Sequence, residues 1–409
     1  MTTPHVSIIG SALSGNKGAS AMLESSVATL SDRLPGVRFT LFSMYPERDR
    51  AQNTYEQLDI VDARPRQLGV TINTLALLYR LAPPLRPVLR RRSAAVRALA
   101  SSQVLLDQGG ITFTDGREKF LLYNVASILP ALNVGTPVFK CAQAVGPFRG
   151  RINRTAAKAF LPRAHTLVTR GRITHEHARG LGLENLYAGA DYAFSLDLEG
   201  DEATAAARHV DPAFFDRPVL GLSPSVVVRR KVEARGEDYV AMMVEFVDRT
   251  TADGTPVLLV PHSARSGTDA THNNDLPLCR EIAARVRDRD LVAAIDDELP
   301  SQVLRWLIGR CDVFVASRFH AMVSSLAMGV PTVVVGWGHK YEEVLEMFGL
   351  QEWAFGHEQL TADHLVERVA ALRAARPEVV AHLEQHLPEV RERSEHQADL
   401  IAELVRSSL

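Results

Sequence analysis

A strand-like run, Val313-Phe314-Val315-Ala316, leads into Ser317-Arg318-Phe319-His320-Ala321, and the small residues beyond it extend to Gly329-Val330-Pro331. Arg318 and His320 therefore stand where a helix should begin. A guanidinium fork matches carboxylate or phosphate oxygens, and the open backbone N–H groups of a helix start add to the attraction for an anion. An imidazole can give or take a proton near neutral pH. The pair suits an anionic, activated substrate, with a structural ion pair as the plainer role for Arg318. Lys340, in Gly336-Trp337-Gly338-His339-Lys340-Tyr341, follows the next strand-like run. There it would complete a phosphate clamp or simply be solvated, with Trp337 as a wall for a sugar ring. His262, in Pro261-His262-Ser263, sits at another strand exit. A functional role is favoured there over a core one, because burial would demand a partner for each ring nitrogen.

Three further loops carry glycines and neutral hydrogen-bonding groups. Gly15-Asn16-Lys17-Gly18 follows the first strand-like run and opens a helix. Asn16 and Gly18 are expected either to bind an anion or hydroxyl-rich ligand at that helix start or to form a tight turn. The glycine spacing fits neither a phosphate-binding Walker loop nor a dinucleotide fingerprint. Gln108-Gly109-Gly110 and Gln143-Ala144-Val145-Gly146-Pro147 come at the exits of two later runs, the edge where open α/β sheets bind ligands. Gln108, Gly109, Gly110 and Gln143 offer neutral, multidentate contacts of the kind a sugar takes.

The elements that must hold these loops are short apolar runs alternating with longer helical patterns. Runs at 6–9, 37–42, 104–106, 138–139 and 166–168 read as parallel strands covered on both faces. A second series begins at 219–222 and continues through 257–260, 291–294, 313–315 and 332–335. The predicted fold class is α/β, with two doubly wound Rossmann-like domains facing a cleft in the GT-B manner and a helical tail. The expected bounds are 1–196, a linker at 197–218, 219–360, and an amphipathic tail at 361–409 that packs back onto a domain.

Bulk composition narrows the partners. With 46 Lys+Arg against 48 Asp+Glu in 409 residues, the net charge of −2 gives no global attraction for nucleic acid, which is not expected as a partner. The basic run at 86–97 reads first as a solvated connection and second as a membrane-surface contact. Cys141, Cys279 and Cys311 lack metal-ligand spacing and read as buried thiols. Neither a leader nor a membrane span is expected, which points to the cytoplasm, with peripheral contact at the inner face of the membrane as an extension.

The order of these loops resembles the polysaccharide pyruvyl transferase family. The likeness runs from Val6 to about Leu350, and Ser317-Arg318-Phe319-His320-Ala321 with Gly329-Val330-Pro331 and Lys340 is its most specific part. The resemblance implies transfer of a pyruvyl group from phosphoenolpyruvate to sugar hydroxyls, forming a cyclic ketal. The acceptor would be a free sugar, a nucleotide sugar or a lipid-linked glycan. The arginine and histidine of the family's R-x-H segment, which contact phosphoenolpyruvate, match Arg318 and His320, with His320 as proton donor and Arg318 as anion clamp. Arg170 would bind the donor's carboxylate, and the acceptor would meet the N-terminal loops. No metal, nicotinamide or flavin is demanded. Ala19, Ser20 and Gly171 stand where the family commonly carries acidic residues, so a noncatalytic sugar- or anion-binding relative is one alternative. A GT-B glycosyltransferase using a nucleotide sugar is the other.

Overall fold

The computed structural model describes residues 3–198, 200–268, 273–336, 338 and 340–409. Apolar runs buried on both faces form two parallel sheets. Among the described residues the first contains β1 (His5–Ile9), β2 (Arg38–Ser43), β3 (Leu58–Asp62), β4 (Val104–Asp107), β5 (Val138–Gln143), β6 (Thr166–Thr169) and β7 (Leu186–Ala188), in the order β3-β2-β1-β4-β5-β6-β7. The second contains β8 (Leu220–Ser223), β9 (Val257–Leu259), β10 (Val292–Ala294), β11 (Val313–Ala316), β12 (Thr332–Gly336) and β13 (Ala354–Gly356), in the order β10-β9-β8-β11-β12-β13. Strand pairing is parallel throughout both. Helices occupy the crossovers, as parallel connections require.

β3, β7 and β13 were not foreseen as strands. All three lie at sheet edges, where one flank faces solvent and the apolar run is diluted, as in Leu58-Asp59-Ile60-Val61-Asp62. Inside the first sheet the opposite happens: Lys140 of β5 and Asp107 of β4 are register partners and form a buried ion pair, so a charged residue sits within a strand that is buried throughout.

The chain divides into two compact units. The first holds Met1–Ser14, Met22–Ser195 and Glu392–Leu409; the second holds Gly15–Ala21 and Leu196–Arg391. Two segments thus belong elsewhere than a linear reading suggests. The Gly15–Gly18 loop, expected to serve the first domain, packs within the second unit. The tail, expected at 361–409 as a helical segment that packs back onto a domain, is the helix Ala362–Ala374 followed by the 32-residue helix Arg376–Ser407, whose last part belongs to the first unit. The segment 197–218 is not a bare linker: it contains the short helix Glu202–Ala206 and a 3-10 turn at Pro212–Phe215. The three cysteines are free and buried, and burial pushes each thiol's pKa upward.

Candidate active site

In a doubly wound sheet, ligands collect beyond the carboxyl ends of the strands where the strand order reverses. In the second sheet that point lies between β8 and β11, whose last residues, Ser223 and Ala316, are register partners. The chain leaves β11 through Ser317, whose N–H donates to the Ser223 carbonyl at 3.0 Å, and Arg318 then caps the helix Phe319–Ala327 in an extended conformation. His320 follows in that helix's first turn, partly exposed. The Ser223 hydroxyl is buried with no hydrogen-bond partner among the described residues.

Arg318 is held from behind. Its Nε donates to Asp275 Oδ2 at 2.8 Å, one Nη to Asp275 Oδ1 at 2.7 Å, and the other Nη to Asn273 Oδ1 at 2.9 Å. Asp275 is fully buried and also accepts the backbone N–H groups of Val226 and Ser263 at 3.0 and 3.2 Å. The arginine is therefore in a bidentate ion pair that sets its plane. A guanidinium has five N–H groups, and these bonds use three of them. The ion pair does not exclude the clamp: the same contact orients the donors that remain.

The Gly15–Gly18 strap is fastened across the exit of β9. Ala264 N–H donates to the Gly15 carbonyl at 2.9 Å, Lys17 N–H to the His262 carbonyl at 3.3 Å, and Asn16 pairs with Ser263 in an isolated antiparallel bridge. One carboxylate oxygen of Glu298 accepts the Gly15 N–H at 2.6 Å and lies 3.0 Å from the buried Lys17 ammonium. Gly15 has φ +78, a left-handed conformation that favours glycine. The exposed Asn16 caps the helix Lys17–Arg33, its Oδ1 accepting the Gly18 N–H at 3.1 Å. Gly18 then lies flat against His320: a Cβ added there would stand 2.0 Å from imidazole Cγ and Nδ1. Two helix starts thus meet at one imidazole, each presenting the positive end of its peptide dipoles.

His262 is buried, and burial, together with the charges of His320, Arg318 and Arg305, pushes its imidazole well below the ordinary histidine range. It is a neutral hydrogen-bonding group in this setting. Lys340 opens the short helix Lys340–Glu346, and its ammonium lies 4.6 Å from the Phe319 ring centroid and 5.1 Å from that of Tyr341. Phe319 in turn makes an edge contact with the His320 ring at 5.0 Å, so lysine and histidine flank one aromatic wall. Trp337, proposed above as a sugar wall, and His339 lie outside the described residues.

The remaining sequence candidates fall in the first unit. Its reversal point is between β1 and β4, where Gly10 (φ +87) lets the chain approach Gly109 so closely that a Cβ would come within 2.6 Å of the Gly109 nitrogen. Gln108 is buried and donates to the Met22 carbonyl and the Ser26 hydroxyl at 3.2 and 3.0 Å, leaving its Oε1 without a partner among the described residues. Gln143 accepts from the Thr112 hydroxyl and donates to the carbonyls of Asp107 and Cys141. Arg170 is 1 % exposed and bonds Asp191 at 2.9 Å. Gln143 and Arg170 thus bond within the rim, where Gly109 and Gly110 are half-buried and the buried Ser11 hydroxyl has no hydrogen-bond partner among the described residues. Among the described residues no group of His, Cys, Asp and Glu is arranged to hold a metal ion.

Asp275, Asn273, Glu298 and Arg305 were not foreseen. The available signal was position: Asn273-Asn274-Asp275 and Asp296-Asp297-Glu298 are polar clusters that follow β9 and β10 as Pro261-His262-Ser263 does. Nothing local said that one of those acids would be spent on Arg318 and another on Lys17.

Two Rossmann-like units with parallel sheets define a GT-B-like protein. The chain belongs to the polysaccharide pyruvyl transferase family, whose model matches residues 16–339. It is 23 % identical over 249 residues to the amylovoran biosynthesis protein AmsJ of Erwinia amylovora, a match spanning 59 % of each chain. Among solved structures it is similar in fold to a UDP-N-acetylglucosamine 2-epimerase, described as putative, from Listeria monocytogenes (TM-score 0.63, 13 % identity, 98 % of this chain and 96 % of that one). It is also similar to the UDP-GlcNAc 2-epimerase of Neisseria meningitidis bound to UDP-GlcNAc (TM-score 0.61, 12 % identity, 99 % and 100 %). At such identities the likeness concerns the fold.

Proposed function

We propose that the chain moves the pyruvyl group of phosphoenolpyruvate onto two hydroxyls of a sugar or glycan precursor, forming a cyclic ketal and releasing phosphate. The observation that carries this reading is the seat of His320, a titratable ring against Gly18 where two helix starts meet beside Arg318. That setting supplies a proton and fixed positive potential together, which the donor's enol carbon and its phosphate both need.

In the addition half, the enol methylene takes a proton from His320 and a sugar hydroxyl bonds to C2, its own proton passing to the imidazole. In the elimination half, the C2–O bond to phosphate breaks with its electron pair on phosphate. The second hydroxyl bonds to C2, and its proton leaves with the phosphate. Arg318, oriented by Asp275, and Lys340 hold donor oxygens. Acceptor binding is assigned to the first unit's rim at Gly109, Gly110 and Gln108. Arg170, buried and paired with Asp191, is retained as the candidate for the donor carboxylate.

The test is calorimetric titration of phosphoenolpyruvate into the wild type, His320→Gln and Arg318→Lys, with a nucleotide diphosphate sugar titrated in parallel. Arg318→Lys keeps a charge for Asp275 but loses the fork, so donor affinity should fall about tenfold or more. His320→Gln should bind donor yet lose on the order of 10²–10⁴ in acceptor-dependent phosphate release, the usual worth of a general acid. Binding of the nucleotide sugar without phosphoenolpyruvate would overturn the reading in favour of glycosyl transfer.

A further inference from the structure

Residues 63–106 contain eight arginines and neither Asp nor Glu, in a chain whose net charge is −2. The same stretch concentrates apolar exposure. Of the twelve large hydrophobic side chains exposed among the described residues, six fall between Val70 and Val88. The helical run Gln67–Ile72 and Asn73–Leu81 buries Leu68, Ile72 and Ala76 on one side, at four-residue spacing, with Leu68 and Ile72 in the first unit's core. On the other side Val70, Leu77 and Leu81 are 62, 45 and 68 % exposed. A helix apolar on two faces has a second face still to be covered.

The next helix makes the point more strongly. Arg86–Arg92 buries none of its residues, and it carries exposed Val88 beside Arg86, Arg90, Arg91 and Arg92, with exposed Leu85 immediately before it. Of the eight arginines only Arg64 pairs with carboxylates, Asp62 and Glu47, among the described residues. Arg86 instead lies over the Tyr79 ring at 5.1 Å, and Arg97 donates to the carbonyls of Arg90 and Arg91.

We propose that this surface docks the protein on the face of a bilayer carrying anionic phospholipid. Leucines and valines interleaved with arginines are what an interface of acyl chains and phosphate headgroups accepts: the apolar side chains enter and the guanidinium groups stay at headgroup level. A second copy on the same surface would set one acid-free cationic patch against another. A nucleic acid would neutralise the arginines but leave the leucines against phosphate. The docking stands independently of pyruvyl transfer, because it is measured without substrate.

The experiment is flotation of the full chain with vesicles of phosphatidylcholine alone and of phosphatidylcholine with phosphatidylglycerol, at low and high salt. The wild type should float only with the anionic vesicles, and less at high salt. Each arginine near such a surface contributes about fivefold, so Arg90→Glu/Arg91→Glu/Arg92→Glu should weaken binding roughly a hundredfold or more. Leu81→Ser/Leu85→Ser should weaken it at least about tenfold at low salt. Both variants change exposed positions, so their thermal melting should match the wild type. No flotation with anionic vesicles would overturn the proposal. So would flotation indifferent to both variants, or binding of duplex DNA or self-association in place of flotation.

Discussion

Gly18 is held to glycine by its neighbour rather than by its own backbone, which lies outside the left-handed region. Any Cβ there would collide with the His320 ring at 2.0 Å. Gly10 and Gly15 differ, because their positive φ favours glycine whatever surrounds them. Gly18→Ala is thus a way of displacing the imidazole without touching it. The expected cost is about 1–3 kcal/mol of stability from overpacking. Turnover should fall on the order of a hundredfold, since displacement of a reacting group by about 1 Å can have that effect. Thermal melting and phosphoenolpyruvate-dependent phosphate release measure the two, and a Gly18→Ala protein with wild-type turnover would remove His320 from the acid role. Arg318 and His320 were legible in the sequence because the chain itself sets them two residues apart at a strand exit. Gln143 also ends a strand, yet its amide bonds to the Thr112 hydroxyl and to the carbonyls of Asp107 and Cys141 inside the first unit, and the Arg170 guanidinium pairs there with Asp191.

At the level of elements, the exit of β9 brings His262 into a buried, cation-lined place, and this makes stability depend on pH. The folded imidazole titrates well below the ordinary value of about 6.5, while the unfolded one titrates near it. Above that value both states are neutral and the folded state suffers no penalty. As pH falls below about 6.5 the unfolded chain takes up the proton first, so stability is lost with a slope approaching about 1.4 kcal/mol per pH unit from this group. His5 and His357 are lowered as well, by burial above all, and act in the same direction. Urea unfolding of the wild type and His262→Gln at about pH 7.5 and 5.5 isolates the contribution: the variant should lose less stability on acidification. Equal losses would place the acid sensitivity elsewhere.

For the whole molecule, the last turns of the chain complete a sheet begined by the first. The pairing of β5 with β6 shifts register between Lys140 and Gln143, and there the Ala142 N–H donates instead to Gln397 Oε1 at 2.7 Å. The Gln397 amide nitrogen donates in turn to the Ala190 carbonyl at 2.9 Å, and the Ser394 hydroxyl to that of Asp191 at 2.9 Å. Ala398, Ile401, Ala402 and Val405 are buried beside them. Gln397→Leu would orphan a buried donor and a buried acceptor, at about 1–3 kcal/mol each, so urea unfolding should show a loss of about 2–6 kcal/mol. A loss under about 0.5 kcal/mol would mean that the tail packs without completing the sheet.

Local order along the chain was enough for the α/β class, most of the central strands and the placing of Arg318, His320 and His262 at strand exits. A parallel strand buried on both faces needs a continuous apolar run, and its exit is simply where that run stops. Three of the four edge strands, β3, β7 and β13, escaped this reading because one flank is wet. Tertiary structure alone decided the partnerships: Gly15–Gly18 on a histidine some 300 residues later, Asp275 behind Arg318, Glu298 beneath Lys17, and Gln397 in the gap left by a register shift. Each depends on which charges and orphaned backbone groups are buried together, a property of the folded chain that no stretch of sequence carries by itself.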